Sequence, residues 1–433
     1  MALDTSHFIM FPLATVRTRL SPHNPKGWFS NRNLLVVVGQ SFLGGLERSM
    51  IGVVWQPFVL SLGLSMSALG FLVSLGGFAG LIPTLVSPVG GWLADRRGRK
   101  LLLLIGSVAA IAAYSLYSLA GFAQIGILIV PGIILLGISV ISQPANAALV
   151  GESVRAGRRG SAFSLVTFAA VLPGILAPLG AGLLADRVGY ATIFPIVLAA
   201  ELISFILIVR YLRETRIVTE PHIDWGALGR MLRRAWMPPG NLRWFYVAVA
   251  MDMFAWGMGW GLLYGLLSKS YNFSASDLGI LSAITNLTWA LMQLPIGRAL
   301  DRFGPKNILV LSEALGPPVL LIWMTQTRFE IFAASMPLFA LTAALWIPAR
   351  QTFITHSIEP ARRAEAFGRL AAFTGLVAFP STYLGGFLYD HFGFAAPILG
   401  NLLGSFTATL ILLFLVREPS LLAVAEVAVS NPM

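Results

Sequence analysis

Twelve long apolar stretches run through this chain of 433 residues, and they limit its fold more than any other feature. A helix needs about 20 predominantly apolar residues to cross a bilayer. Only 11% of the residues are charged, whereas soluble domains carry about 25%. The sequence therefore predicts an all-α polytopic membrane protein with spans at residues 33–59, 67–93, 101–121, 125–150, 161–185, 190–212, 243–268, 275–299, 306–326, 331–355, 364–389 and 394–416.

Lysine and arginine are distributed unevenly between the connecting segments. All but five of the 30 lie on one side of the predicted membrane, and the exceptions are Arg48, Arg187, Lys269, Arg328 and Arg350. Because cytoplasmic loops carry an excess of Lys and Arg, we expect a multi-pass plasma membrane protein of the bacterial inner-membrane type, with both termini in the cytoplasm. The formal charge of +11 then reflects topology and attraction to anionic lipid, not nucleic-acid binding.

The residue types that several chemistries need are missing or scattered. The chain has no cysteine, and its five histidines show no metal-ligand spacing, so disulfides and thiolate chemistry are excluded. The nucleotide-binding motif Gly-x-x-x-x-Gly-Lys-[Ser/Thr] does not occur. We therefore expect no enzyme activity, no metal and no cofactor.

One short turn recurs four times. The sequence "GWLADRRGRK" begins at Gly91 and returns as "GRALDRFGPK" from Gly297, with weaker copies in "GLLADRVGY" from Gly182 and "GFLYDHFGF" from Gly386. Each copy has a helix end of small residues, an Asp, and a Gly three residues later. This repetition predicts two similar halves of six spans. Within each half, the two copies end spans that point to opposite faces, which is the signature of inverted three-helix repeats.

These patterns divide the chain into five regions. We expect a cytoplasmic tail at 1–32, a first six-helix bundle at 33–212, a central loop at 213–242, a second bundle at 243–417 and a tail at 418–433. The loop contains "WGALGRMLRRAWM", in which Leu and Met alternate with Arg at helical spacing. This predicts an amphipathic helix on the membrane surface, and an unstructured basic linker is the alternative.

The first copy of the turn resembles the loop between the second and third helices of the major facilitator superfamily (MFS) of secondary transporters. The resemblance covers residues 33 to 417 and implies the MFS fold, in which each six-helix bundle is built from 3+3 inverted repeats. It also implies that Asp95 and Arg99 form a conformational latch with the helix that begins near Ala364, although a role in topology alone is the alternative. The candidate latch residues are Gly91, Asp95, Arg96, Gly98, Arg99, Lys100, Gly297, Asp301, Arg302 and Gly304.

We place six charged residues at mid-membrane, where a charge costs about 2.5–3.5 kcal/mol on insertion scales. They are Glu47, Arg48, Glu201, Asp252, Glu313 and Arg350. The resemblance implies that helices 1, 4, 7 and 10 surround a central cavity, so Glu47 and Asp252 are candidates for proton coupling. Arg48 or Arg350 would then adjust their proton affinity or hold an anionic substrate. A buried ion pair, for example Glu47 with Arg350, is the alternative, and a structural role is preferred for Glu201 and Glu313.

Aromatic residues gather on the same helices and are candidates for stacking on an organic substrate, with ordinary core packing as the alternative. The candidate cavity residues are Arg48, Trp55, Asn146, Trp256, Trp260, Tyr264, Trp346 and Arg350. The fifth span contains "GILAPLGAG", which resembles an exporter motif of the family with Ala177 and Ala181 in place of two glycines. The candidate helix-packing residues are Gly174, Pro178, Gly182, Pro380 and Gly386.

The residues and the resemblance together predict a secondary active transporter of a small organic solute that works by alternating access. Proton-coupled efflux by antiport is the preferred interpretation. A proton-coupled or facilitative importer is the alternative, and a transporter-like sensor without flux is a third reading. The expected partners are the solute, protons and membrane lipids, and the expected state is a monomer.

Overall fold

The computed structural model describes residues 31–77, 80–154, 159–215, 226, 237–238, 240–359 and 363–418, and within these ranges it has helices and no strand. The helices of the first half are Arg32–Ser61, Met66–Gly76 with Leu81–Arg97, Arg99–Ala123, Ile129–Ser139 with Gln143–Ser153, Arg159–Val171 with Pro173–Val188, and Ile193–Tyr211. Those of the second half are Arg243–Met258 with Leu263–Tyr271, Ala275–Phe303, Pro305–Thr325, Phe329–Ser357, Arg363–Ala378 with Ser381–Phe392, and Ala395–Phe414. The amphipathic helix predicted for the central loop lies outside the described residues.

These helices form twelve spans. In the described part of the chain, eleven are continuous segments long and apolar enough to cross a membrane. The eighth span is bent by 54° between Gln293 and Pro295, where proline removes a backbone donor and crowds the preceding turn. Counted as one span, it completes the set, so the prediction of an all-α bundle with two repeated halves is confirmed.

Short turns join consecutive spans, which are therefore antiparallel. Each turn thus lies at one of the two ends of the helix bundle. We call the end with the turns at residues 97–100 and 303–306 the basic end, and the end with the turns at 188–190 and 392–395 the opposite end. In all four copies of the repeated turn, the glycine three residues after the Asp has a positive φ, at 96°, 95°, 76° and 79° for Gly98, Gly189, Gly304 and Gly393. Only glycine adopts this conformation without strain, which explains why each copy has a glycine at this position.

The buried apolar side chains show how the two halves meet. At the opposite end they form one cluster with members from both halves, such as Phe58, Phe194, Leu266 and Trp323. At the basic end each half has a separate cluster, with Leu34 in the first half and Phe353 in the second. The halves are therefore packed together at the opposite end and lie apart at the basic end.

Glycines bring the backbones of the two halves into contact at the opposite end. A Cβ added to Gly182 would overlap the carbonyl of Ala275, and one added to Gly386 would overlap the carbonyl of Met66. Each of these contacts joins a span of one half to a span of the other. Helices in a bilayer gain little from the hydrophobic effect on association, so close approach at small residues supplies much of the attraction.

The glycine contact can be tested with a matched pair of variants. Gly182→Ala should destabilise the packed end by about 1–3 kcal/mol, as overpacking does. Gly180→Ala is the matched control, because it lies in the same helix and gains the same helix propensity. Nothing lies within 4 Å of its added Cβ. We expect a lower thermal unfolding midpoint for the detergent-purified Gly182 variant only, and equal midpoints would contradict the packing described.

Candidate functional site

A cavity of about 670 Å³ lies between the two halves. It is lined by the first, second, third, fourth and sixth spans of the first half and by the seventh and eleventh of the second. Because cross-half packing closes the opposite end, access is from the basic end. Eight of the residues singled out in the sequence line this cavity: Glu47, Arg48, Trp55, Asn146, Glu201, Trp256, Trp260 and Tyr264.

Two carboxyl groups lie next to each other in the cavity wall. Glu47 of the first span is a close neighbour of Glu201 of the sixth, and the two residues are only 4% and 9% exposed. The Tyr114 hydroxyl donates to Glu47 Oε2 at 3.4 Å, and the Ser107 hydroxyl donates to Glu201 Oε1. Two adjacent buried carboxylates repel each other when both are ionised, so this pair is suited to hold one proton.

Arg48 is the cation beside this pair. Its side chain lines the cavity and interacts electrostatically with Glu47. If both carboxyl groups ionise, the wall carries a second negative charge, which a guanidinium at this position stabilises. The charged neighbours of Glu47 are thus Glu201 and Arg48, whereas Arg350 lies near Asp252.

An aromatic wall faces the carboxyl pair from the second half. Trp256, Trp260 and Tyr264 follow one another at four-residue spacing on the seventh span, with ring centroids 6.4 and 6.1 Å apart. Phe339 of the tenth span stacks on Trp260 at 4.1 Å, with an angle of 28° between the rings. Fixed aromatic rings give an organic solute a broad apolar surface with little loss of side-chain entropy.

Two amide oxygens in the residues of the cavity wall lack a hydrogen-bond partner among the described residues. Gln40 Oε1 and Asn146 Oδ1 are buried and have no hydrogen-bond partner among the described residues, although both side chains line the cavity. A buried acceptor without a partner costs about 1–3 kcal/mol. A donor group on a bound molecule would recover part of that cost.

Gln56 closes the inner end of the cavity by linking the first span to the seventh. Its Nε2 donates to the carbonyl of Gly261 at 2.8 Å, and its Oε1 accepts from the amide of Gly265 at 2.8 Å. The seventh span is interrupted here by the 3-10 turn Trp260–Leu262, and the side-chain amide satisfies backbone groups that a continuous helix would pair internally. The two halves are thereby joined through one polar side chain.

Three of the candidate coupling and cavity residues, Asp252, Trp346 and Arg350, do not line the cavity. Asp252 is a close neighbour of Glu313 of the ninth span, and Arg350 is its charged neighbour. Trp346 packs in the apolar cluster of the second half. Asp252 and Glu313 thus form a buried acidic pair that is not part of the cavity wall. Within the described ranges, no three His, Asp or Glu side chains converge as a metal site.

The described contacts of the first latch loop stay within the first half. Arg99 pairs with Glu152 of the fourth span at 2.9 Å. The carboxylate of Glu214 accepts the amides of Arg99 and Lys100, both at 2.9 Å, and it occupies the space that a Cβ on Gly98 would need. These bonds cap the third span at its N-terminus.

The remaining residues of this loop have local contacts. Gly91 lies against Pro144 of the fourth span. The Arg96 guanidinium lies over the Trp92 ring at 4.3 Å. The side chain of Asp95 lies outside the described part of the structure, so the predicted bond to the eleventh span stays a prediction.

The second copy of the loop repeats this arrangement. Lys306 donates its amide to Glu418 at 3.4 Å and its ammonium to the carbonyl of Leu413 at 3.2 Å, as Lys100 does with Glu214 and Leu212. Nothing lies within 4 Å of a Cβ on Gly297, and Glu418 fills the space beside Gly304. Asp301 is exposed, and the Arg302 guanidinium lies 5.2 Å from the Phe303 ring.

Four of the five predicted helix-packing residues lie where spans touch. Asn286 of the eighth span donates to the carbonyl of Gly174 at 2.7 Å. The carbonyl of Pro178 faces Gly279. Gly182 and Gly386 make the cross-half contacts described above, and Pro380 precedes the helix Ser381–Phe392. All but Pro380 therefore lie at contacts between the fifth or eleventh span and the other half.

Comparison with known proteins places the fold. The sequence model of the Major Facilitator Superfamily matches residues 37–258 and 245–429. The chain is 26% identical over 394 residues to the multidrug resistance protein MdtG of Proteus mirabilis, which covers 87% of this chain and 93% of that protein. It is 27% identical over 380 residues to the MdtG of Serratia proteamaculans, with coverage of 84% and 89%.

Solved structures give the same fold at lower identity. The crystal structure of a D-xylose-proton symporter matches with a TM-score of 0.68 and 18% identity, over 91% of this chain and 99% of that chain. A POT family transporter in complex with 5-aminolevulinic acid matches with a TM-score of 0.72 and 14% identity, over 92% and 98%. At this identity the likeness concerns the fold alone.

Thiol labelling tests whether the cavity is open to water, since the chain has no native cysteine. Gly44 lines the cavity and has open space at its Cβ position, whereas Phe42, two residues earlier, does not line it and is 41% exposed. In proteoliposomes, we expect Gly44→Cys to react with a membrane-impermeant charged thiol reagent and Phe42→Cys to be protected by lipid. Equal labelling of both variants would contradict the position of the cavity.

Proposed function

Because the chain belongs to the Major Facilitator Superfamily, we propose that this membrane transporter exports amphipathic organic compounds in exchange for protons. The observation that carries the proposal is the buried, adjacent carboxyl pair Glu47–Glu201 in the wall of a cavity closed at one end. A buried carboxyl pair that holds a proton is the group that coupling to a proton gradient requires.

The similarity to the MdtG proteins supports export. Those relatives are multidrug resistance proteins that align with most of this chain. The cavity fits the same interpretation, since aromatic rings and unpartnered amide oxygens accept molecules of varied shape better than a closely fitted polar site does.

We place the basic end in the cytoplasm, because an excess of Lys and Arg marks cytoplasmic loops. The cavity then faces the cytoplasm and both termini lie there, in a monomer within a bacterial-type plasma membrane. The basic residues at this end would contact anionic lipid headgroups.

Transport follows from reciprocal binding of the compound and the proton. A compound enters from the cytoplasm, stacks on Trp256 and Trp260, and displaces the proton held by Glu47 and Glu201. The two halves then rock, so that the basic end closes and the opposite end opens. The compound leaves, and the pair takes up a proton from outside. Coupling of this kind needs each ligand to weaken the binding of the other by the same factor.

The other candidate for coupling, Asp252, has a different role in this proposal. It pairs with Glu313 away from the cavity, so a bound compound does not reach it. We infer that this pair, with Arg350 nearby, holds the seventh and ninth spans together. Asp252→Asn keeps a polar side chain beside Glu313 and should preserve the proton dependence of transport.

Transport assays of neutral variants test the assignment. A compound that raises the thermal midpoint in a screen of amphipathic drugs is loaded into proteoliposomes, and its export is driven by an imposed pH gradient. We expect Glu47→Gln and Glu201→Gln to lose nearly all pH-driven export yet to keep compound exchange without a gradient, because an amide cannot release the proton.

The control variants are Glu330→Gln, an exposed position at the start of the tenth span, and Asp252→Asn. Both should keep export that depends on the gradient. Unchanged proton dependence in both Glu47→Gln and Glu201→Gln would overturn the assignment of the coupling site. Transport of the compound by the unmodified protein toward the cytoplasmic side would favour an importer.

A further inference from the structure

The two weak copies of the repeated turn have kept their Asp although they have lost most of their basic residues. "GLLADRVGY" contains Asp186 at the end of the fifth span, and "GFLYDHFGF" contains Asp390 at the end of the eleventh. Both lie at the opposite end, away from the cavity and from the carboxyl pairs. The transport cycle proposed above does not use them.

Each of these aspartates caps a helix of the other half. Asp186 accepts the amides of Ala275 and Ser276, both at 2.8 Å, at the start of the eighth span. Asp390 accepts the amide of Ser67 at 2.7 Å and its hydroxyl at 2.6 Å, at the start of the second span. The first half thus caps the second, and the second caps the first.

Such caps are favourable because the first amides of a helix have no partner within it. A carboxylate at this position accepts charge-assisted hydrogen bonds and lies at the positive end of the helix dipole. In most helices the capping residue belongs to the same chain segment, so the bond survives any movement of the helix as a body. Here the bonds join different halves and must break when the halves separate at this end.

We propose that Asp186 and Asp390 form a cap pair that holds the opposite end closed and whose release is the event that opens it. The pair follows the pseudo-twofold axis, because the fifth and eighth spans exchange roles with the eleventh and second. It explains why the weak copies retain Asp, which this contact requires, while the basic residues have disappeared.

The chain supplies matched controls for this proposal. The same two helices have caps from their own half: Asp277 accepts the amide of Ser274 at 2.9 Å in the eighth span, and Ser65 accepts the amide of Ala68 at 3.1 Å in the second. Their loss weakens the same helix ends without breaking a bond between the halves.

Spin labels measure the opening directly in the cysteine-free chain. One label is attached at Val188→Cys, at the end of the fifth span, and the other at Phe392→Cys, at the end of the eleventh. The native side chains at these positions are 62% and 71% exposed. Pulsed electron resonance on the lipid-reconstituted protein, without any compound, gives the distribution of distances between them. The readout needs no transport, so it is independent of the proposed export.

We expect Asp186→Asn with Asp390→Asn to raise the ratio of long to short distances by roughly tenfold or more, since hydrogen bonds to charged groups contribute on that order. Ser65→Ala with Asp277→Asn should leave the distribution as in the unmodified chain. Equal distributions in the cap-pair variant and the control would overturn the proposal.

A cross-link provides a second test should the cap-pair variant fail to fold. Asp390→Cys with Ser67→Cys replaces the cap by a disulfide between the halves. Oxidation should abolish export of the compound used above, and a reductant should restore it. Export that continues in the fully oxidised protein would contradict a role for this contact in opening.

Discussion

The contact between the two halves at one end determines what the rest of the molecule can do. Helices surrounded by lipid gain little from apolar burial when they associate, so the halves are joined there by backbone contacts at glycines and by polar caps. These contacts are individually modest and add to the apolar cluster that the two halves share at this end. A joint of this kind can close firmly and still come apart, which is the requirement for alternating access.

The carboxyl pair and the aromatic wall lie on different halves, on either side of the cavity that the closed end bounds. Glu47 and Glu201 come from two spans of the first half, and the aromatic wall comes from the second. A molecule held in the cavity would therefore contact both halves, within reach of the proposed proton site. Gln56 bridges the two halves at the inner end of the same space.

Hydropathy and repetition were sufficient to predict the architecture. The apolar runs located all twelve spans, because a bilayer crossing demands both length and composition, and the four turns revealed the two halves. The rotation of each helix about its axis was not predictable from one sequence. Asp252 and Glu201 show this: the former lies on a helix expected to line the cavity but turns to Glu313, whereas the latter, expected to be structural, lies in the wall. The weak turns were recognised as repeats, but their cross-half bonds depend on tertiary proximity that spacing does not encode.

The most direct test of alternating access compares both ends of the bundle in one protein. Labels at Arg97→Cys and Phe303→Cys report on the basic end, and the pair at Val188 and Phe392 reports on the opposite end. When a bound compound or a change of pH shifts the protein between states, the two distances should change in opposite directions, one lengthening as the other shortens. Distances that lengthen together, or an opposite end that never opens under any condition, would contradict the account.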